Sequence, residues 1–378
     1  MLSEHATQLK DSVSDFVARA TDLKRVRALR GTPQEYDRGL WKQMAALGWL
    51  GIAIPETYGG MGLGLTETAV VAQGLARALT PEPYTACAVL ASGALAYGTN
   101  EDLKHEFLPA AIAGERALAL AWQEAPGALD TNHIAMRATP FEGGFRLSGC
   151  KRYVCGAAGA DVYLVAARAD EGLVLACIER DAPGTKVDFE PLADGRHFGT
   201  LALDDAVVPR EKVAATGAAA SAAIERALDH AAAIVSAELY AVMSRALEMS
   251  VDYMKTRVQF GRPIGSFQAL QHRAVDLYIQ QELASAVLEE SLAALDAQPE
   301  PARRAVIVSR LKARCSDAAV RITREAIQIH GAIGFTDEYD AGLYLKRALV
   351  LAAWLGSATQ HRRRYAALAI APERAHAG

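Results

Sequence analysis

No apolar run in this 378-residue chain approaches the roughly 20 residues that a membrane span needs. Residues 1–30 carry Glu4, Lys10, Asp11, Asp15 and Lys24. These charges interrupt the apolar core a signal peptide requires, so the expectation is a cytoplasmic protein without a targeting segment. Cysteine is scarce and scattered: Cys87, Cys150, Cys155, Cys177 and Cys315 form an odd set, and only Cys150 and Cys155 are close. Their odd separation puts these two on opposite faces of a shared strand, and all five read as packing residues in a reducing compartment. The nine histidines form no HxxxH or HExxH spacing, which leaves a metal site without support. A net charge of −4 makes no electrostatic case for nucleic acid or an anionic membrane. The single basic run, His361 to Arg364, reads as a solvated helix end, where cations favour the helix dipole.

What is present is an ordinary globular composition, 51% hydrophobic and 22% charged, long enough for two or three packed units. The first third reads as helical. Leu40 to Leu47 stops at Gly48, Thr66 to Leu79 stops at prolines 81 and 83, and Glu101 to Ala113 stops at Gly114. From Ala117 to about Val213 the period shifts toward two, with β-rich stretches at Val162–Val165 and Leu173–Leu175. Glu142-Gly143-Gly144-Phe145 predicts a hairpin turn, and Pro183-Gly184 and Asp194-Gly195 further turns. After an Ala- and Gly-rich joint, Thr216 to Ala220, the chain reads as helical: Ser221–Thr256, Asp276–Leu295, Pro301–Ile329 and Tyr344 onward. A helix as long as the first of these suits a bundle. The expectation is an α+β protein with a helical segment at 1–116, a small β domain at 117–215 and a helical bundle at 216–378.

Three motifs stand out. Arg257-Val-Gln-Phe260-Gly261-Arg262-Pro263-Ile264-Gly265-Ser-Phe267-Gln268-Ala-Leu-Gln271 is a helix end, a tight turn and a new helix carrying amides and cations, a setting suited to a pyrophosphate. Spacing alone favours a solvated connection between helices. Gln328-Ile-His330-Gly331-Ala332-Ile-Gly334-Phe335 has the glycine density that lets a backbone or cofactor approach closely, or that makes a plain turn. Leu47-Gly48-Trp49-Leu50-Gly51-Ile-Ala-Ile-Pro55-Glu56-Thr-Tyr58-Gly59-Gly60-Met61-Gly62 lacks both the GxGxxG spacing and the Walker lysine, so it is not a phosphate loop.

In order, these motifs resemble the RxxFGxxIxxFQxxQ, QxxGGxGF and LGxxGxxxPExYGGxG segments of acyl-CoA dehydrogenases, with Ala332 replacing the second glycine of QxxGGxGF. The match spans about residues 10–370. The resemblance implies an N-terminal helical domain, a middle β-barrel-like domain and a C-terminal four-helix bundle. It also implies FAD at a subunit interface, an acyl-CoA substrate and electron-transfer flavoprotein as the acceptor. On the side of a neighbour's adenosine diphosphate, the family positions fall on Arg257, Phe260, Gln328 and Gly331. These are a cation, an aromatic face, an amide and a glycine, all with fitting chemistry.

The resemblance fails on the flavin-ring side. The family's Thr-Glu-Pro and Gly-Ser-Asp are here scattered through Trp122-Gln123-Glu124-Ala125-Pro126-Gly127-Ala128-Leu129-Asp130, and its Trp-Ile-Thr is Tyr153-Val154-Cys155 after Gly149-Cys150-Lys151. Tyr153 can stack on a flavin, whereas Cys155 is a poor substitute for a hydroxyl donor. Family chemistry also needs a carboxylate to take the α-proton. Its two known positions fall here on Leu355, within Trp354-Leu355-Gly356-Ser357, and on Ala231; neither side chain accepts a proton. Asp229 lies about 200° round the helix from Ala231, and Glu238 about 10 Å along it, so both read as bundle or surface charges. Kept and lost features together resemble the base-lacking subunit of heterotetrameric acyl-CoA dehydrogenases that act on steroid side chains. Such a chain requires a homologous partner carrying the catalytic Glu. Two alternatives remain open on sequence: a self-sufficient homotetramer or same-fold flavin monooxygenase with an unconventional base, and a flavin-free structural subunit.

Overall fold

The computed structural model describes residues 4–30, 32, 36–127 and 129–369. Ala128, in the stretch compared with the family's flavin segment, lies outside the described residues, as do both chain ends. Ahead of the sheet come α1 (Glu4–Ala20), α2 (Leu23–Leu29), α3 (Arg38–Ala46), α4 (Leu65–Arg77), a π-helical stretch (Tyr84–Ala91), α5 (Ser92–Ala96) and α6 (Glu101–Ile112). Local chemistry sets these boundaries. Asp37 caps α3 by accepting from the N–H groups of Gly39 and Leu40, at 2.6 and 3.3 Å, and Asn100 caps α6 through Leu103 N–H at 3.2 Å.

The sheet contains β1 (Leu118–Ala121), β2 (Arg137–Phe141), β3 (Gly144–Cys155), β4 (Val162–Ala169), β5 (Gly172–Glu179), β6 (Thr185–Pro191), β7 (His197–Pro209) and β8 (Val213–Thr216). Its order is β6-β7-β3-β2-β4-β5-β8, with β1 joined in parallel to β4. The expected hairpin closes over Glu142-Gly143, with Phe141 opposite Gly144. Residues 162–167 of β4 and 173–178 of β5 are buried without a break, so they read as continuous apolar runs rather than alternating ones. The β3–β7 register slips between Lys151 and Val154. Tyr153 sits in that slip with a left-handed φ of 59°, a bulge that re-aims its side chain.

The C-terminal part holds α7 (Gly217–Thr256), the short strands β9 (Val258–Gln259) and β10 (Arg262–Pro263), α8 (Gln268–Asp296), α9 (Pro301–His330), α10 (Ala341–Ala353) and α11 (Ala358–Ala369). The helical-plus-sheet class and element order agree with expectation, and three details do not. The Ala-rich joint after Thr216 is the first turn of α7, because alanine is the strongest helix former. Helix α8 begins eight residues before Asp276. The helix expected from Tyr344 onward is two, broken where Leu355 and Gly356 take φ of 56° and 100°. The basic run is consequently not a helix end. It lies in the middle of α11, with His361 buried and Arg362 ion-paired to Asp317.

The chain forms two compact units, one of residues 1–26, 69–80 and 232–378, the other of 27–68 and 81–231. In the first, α4 belongs with the C-terminal helices. Arg77 pairs with Glu248 of α7, Tyr344 Oη donates to the Arg77 carbonyl at 2.8 Å, and buried Arg347 donates to the carbonyls of Leu79 and Thr80 at 3.3 and 3.4 Å. In the second, the sheet core centres on Leu147, Val154, Tyr163, Val165, Ile178 and Leu201. No helix of the described residues is long and apolar enough to cross a membrane. Among the same residues, no three His, Cys, Asp or Glu side chains are grouped to hold a metal ion.

Candidate functional site

Arg257 follows the last turn of α7. Its N–H donates to the Tyr253 carbonyl and its carbonyl accepts from Ile264 N–H, both at 2.8 Å. Beyond it, β9 and β10 pair Gln259 with Arg262, leaving Phe260-Gly261 as a two-residue turn with φ of 53° and 78°. Both values are positive, as a tight primed hairpin demands. Phe260 accepts a left-handed backbone that costs a non-glycine residue about 1 kcal/mol. Its ring is 91% exposed and meets Phe267 edge-on at 6.1 Å.

Gln328 and Gly331 stand at the end of α9. Gly331 has φ of 64° and ψ of −138°, and a Cβ there would meet nothing within 4 Å. Between them His330 is buried, its Nδ1 2.7 Å from the Ala326 carbonyl and its Nε2 2.9 Å from Tyr339 Oη. Burial holds its pKa below the ordinary histidine value. Its ring centroid lies 4.5 Å from those of both Tyr253 and Tyr339. Tyr253 is one helical turn before Arg257, so this stack brings the ends of α7 and α9 together. The four expected cofactor positions therefore occupy adjoining helix ends in one unit. Arg257 forms no ion pair among the described residues, and Phe260 and Gln328 are exposed beside it. An unpaired guanidinium, a bare aromatic face, a free-facing amide and open space over a glycine fit a dinucleotide's phosphates and ring.

At the two positions where the resemblance leads one to expect a base, the structure places apolar groups. Ala231 is fully buried in α7; Asp229 and Glu238, read from sequence as bundle or surface charges, are buried too. Leu355 is 6% exposed, in the turn between α10 and α11. Sequence reasoning missed what holds this turn. Lys312 of α9, fully buried, donates to the carbonyls of Leu351 and Gly356 at 3.0 Å, to that of Ala352 at 3.3 Å and to Ser316 Oγ at 3.3 Å. It thus satisfies carbonyls that the C-terminus of α10 leaves open. His361 Nε2 meets the Leu355 carbonyl at 2.8 Å, and Ser357 and Gln360 cap α11 reciprocally, Ser357 N–H to Gln360 Oε1 at 2.7 Å and Gln360 N–H to Ser357 Oγ at 3.4 Å. One signal was available for Lys312: it shares the buried stripe Val308, Cys315, Ala319, Ile322 of α9.

Burial pushes Lys312 down to about 7 and His361 to about 3, the latter aided by the Lys312 charge. The unfolded chain binds these protons up to ordinary values of 10.5 and 6.5. It therefore holds more protons than the folded chain between about 3 and 6.5, on His361, and between about 7 and 10.5, on Lys312. Stability rises with pH in both windows. The unfolding free energy from urea denaturation is expected to climb from pH 7 to 9 by an amount on the order of 1–3 kcal/mol. Lys312→Met should flatten that climb, which denaturation at several pH values checks.

On the ring side, Lys151 is buried and donates to Glu124 Oε1 at 2.5 Å and to the Trp122 carbonyl at 3.2 Å. Glu124 also accepts from the N–H groups of Ala135 and Met136, at 2.9 Å each. Burial pushes Lys151 down to about 8 against the pull of Glu124. Burial also raises Glu124, but Lys151 and the two N–H groups outweigh it and hold the carboxyl below its usual value. The pair is charged at neutral pH and ties the end of β1 to β3 just ahead of the Tyr153 bulge. Tyr153 is half-buried, edge-on to Phe198 at 6.0 Å and under the Arg152 guanidinium at 5.3 Å; Cys155 is buried. No hydroxyl stands at position 155.

Comparison with known proteins supplies the lineage. Residues 3–115 match the acyl-CoA dehydrogenase N-terminal domain, and residues 221–369 the acyl-CoA dehydrogenase C-terminal domain. Acyl-CoA dehydrogenase FadE27 of Mycobacterium tuberculosis is 30% identical over 371 residues, 96% of each chain. The chain belongs to the acyl-CoA dehydrogenase family. Acyl-CoA dehydrogenase IpdE2 of the same organism is 33% identical over 348 residues, 91% of each chain. Among solved structures, the ChsE4-ChsE5 complex from Mycobacterium tuberculosis superposes with a TM-score of 0.88 at 27% identity, covering 99% of this chain and 98% of the other. A variant of the Tcur3481-Tcur3483 steroid ACAD does so with the same TM-score at 29% identity, covering 98% and 99%. As an acyl-CoA dehydrogenase, the chain is an oxidoreductase by lineage, built on that family's helical, sheet and helical framework.

Proposed function

We propose that this chain is the base-lacking subunit of an α2β2 flavin-dependent acyl-CoA dehydrogenase in the cytoplasm. A homologous partner supplies the catalytic Glu and the flavin-ring pocket. The observation that carries this reading is Leu355, an apolar side chain in the turn where catalytic members present their carboxylate, with Ala231 at the other base position. When bound, FAD supplies the hydride acceptor for α,β-desaturation of the thioester. The residues of this chain hold its nucleotide end. Arg257 pairs with the pyrophosphate, Phe260 covers apolar surface, Gln328 offers its amide, and Gly331 leaves room for close approach. The steroid side-chain thioester as substrate draws support from the likeness to the Tcur3481-Tcur3483 steroid ACAD, and a two-chain assembly from the likeness to the ChsE4-ChsE5 complex. Electron-transfer flavoprotein is the acceptor that the resemblance implies.

Co-expression with a homologous subunit carrying Glu at either base position tests this. The expected result is one FAD per heterodimer with turnover, and neither stoichiometric flavin nor turnover from this chain alone. Full turnover by the isolated chain would sink the proposal and favour a self-sufficient enzyme.

A further inference from the structure

Filling the space between the ends of α7 and α9 does not require a histidine at 330. An apolar ring would pack there without the cost of burying two nitrogens. The bonds of the imidazole fix where its proton sits. The Ala326 carbonyl, 2.7 Å from Nδ1, can only accept, so Nδ1 is the N–H. In the neutral ring Nε2 is then a bare acceptor, and the Tyr339 hydroxyl donates to it at 2.9 Å. Flipping the ring would set a C–H against that carbonyl and strand the hydroxyl, so the imidazole has one orientation. The Met249 carbonyl of α7 also faces it. The planes of Tyr253 and Tyr339 lie at 35° and 44° to the imidazole, and the two phenol rings meet edge-on at 6.1 Å. Three rings thus close on one another, one from α7, one from α9 and one from the segment after it.

The group that hangs from this cluster is Arg257. Its N–H is bonded to the Tyr253 carbonyl at 2.8 Å, so a shift of Tyr253 carries Arg257 with it. On the other side Gly331 follows His330 directly. We infer that Tyr253, His330 and Tyr339 form a positioning cluster that aims Arg257 at phosphates held beside Gln328 and Gly331, with His330 fixed as its Nδ1–H tautomer. The inference rests on the flavin reading of those residues. The three rings act through Arg257 and do not themselves contact the nucleotide.

FAD is titrated into the flavin-stripped complex of this chain with its partner subunit, and a melting curve is recorded for each variant. Tyr253→Leu removes one ring of the stack and should raise the FAD Kd about 3- to 10-fold. Tyr253 is half-buried, so the melt should stay near wild type. Tyr253→Phe keeps the ring and should restore most of the affinity. Tyr339→Phe, which removes the hydroxyl that orients His330, should cost a similar factor of about 3 to 10. In an Arg257→Ala background either loss should shrink to less than about 2-fold, because the group being positioned is gone. Losses that multiply independently with Arg257→Ala would make the cluster mere packing and overturn the inference. So would an FAD Kd that neither Tyr253→Leu nor Tyr339→Phe moves. Should Tyr253→Leu fail to fold, Tyr339→Phe reads the same cycle with every ring retained. An unchanged Kd in Arg257→Ala alone sinks the flavin reading itself, an outcome distinct from these.

Discussion

Arg257→Ala is expected to lower flavin retained by the assembled complex about 10- to 100-fold, the equivalent of a charge-assisted hydrogen bond or two to phosphate. The fold should survive. The guanidinium is exposed and forms no ion pair among the described residues, and the two backbone bonds at 257 do not involve the side chain. Flavin absorbance per protein after gel filtration, with a melting curve on the same sample, separates lost binding from lost structure. Arg257→Lys should fall between, since an ammonium keeps the charge but not the planar fork. Unchanged flavin in Arg257→Ala would instead favour a flavin-free scaffold subunit.

Glu124→Leu should cost about 3–5 kcal/mol, because it strands the buried Lys151 ammonium without a counter-charge. The N–H groups of Ala135 and Met136 lose their acceptor as well. For a chain of 378 residues the loss lowers the melting temperature by roughly 5 °C. Adding Lys151→Met should recover most of it, since a buried ion pair replaced whole by apolar groups is often near neutral. Calorimetry on the single and double variants decides the matter. A single variant that melts like the parent would show that the pair does not hold β1 to β3.

Legibility from sequence varied with how local the cause was. Helix α9 was readable because Pro301 starts it and Gly331 ends it, both through backbone geometry of the residue itself. The hairpin over Glu142-Gly143 was readable for the same reason. That the new helix after the 257–267 turn runs unbroken into the one expected from Asp276 was not, because Gln268 to Val275 is largely exposed and lacks an inward apolar stripe. The break between α10 and α11 was missed because its cause is distant. The turn is clamped by Lys312, 39 residues before the carbonyl of Leu351 that it caps. For His361, nothing in a run of basic residues distinguishes the one whose ring turns inward.

The residue order by itself determined the three motifs, hence the lineage, and the lack of a proton acceptor at 355 and 231, because the chemistry of a side chain needs no coordinates. Only the tertiary structure decided that Tyr253 stacks on His330, bringing Arg257 and Phe260 to the same end as Gln328 and Gly331. It also decided that the turn at Leu355 is held in shape by a buried lysine and histidine, and that one side of α8 is left bare. Each of these depends on how helices distant in sequence are oriented when they pack. That orientation is set by the whole core and not by any stretch of residues within it.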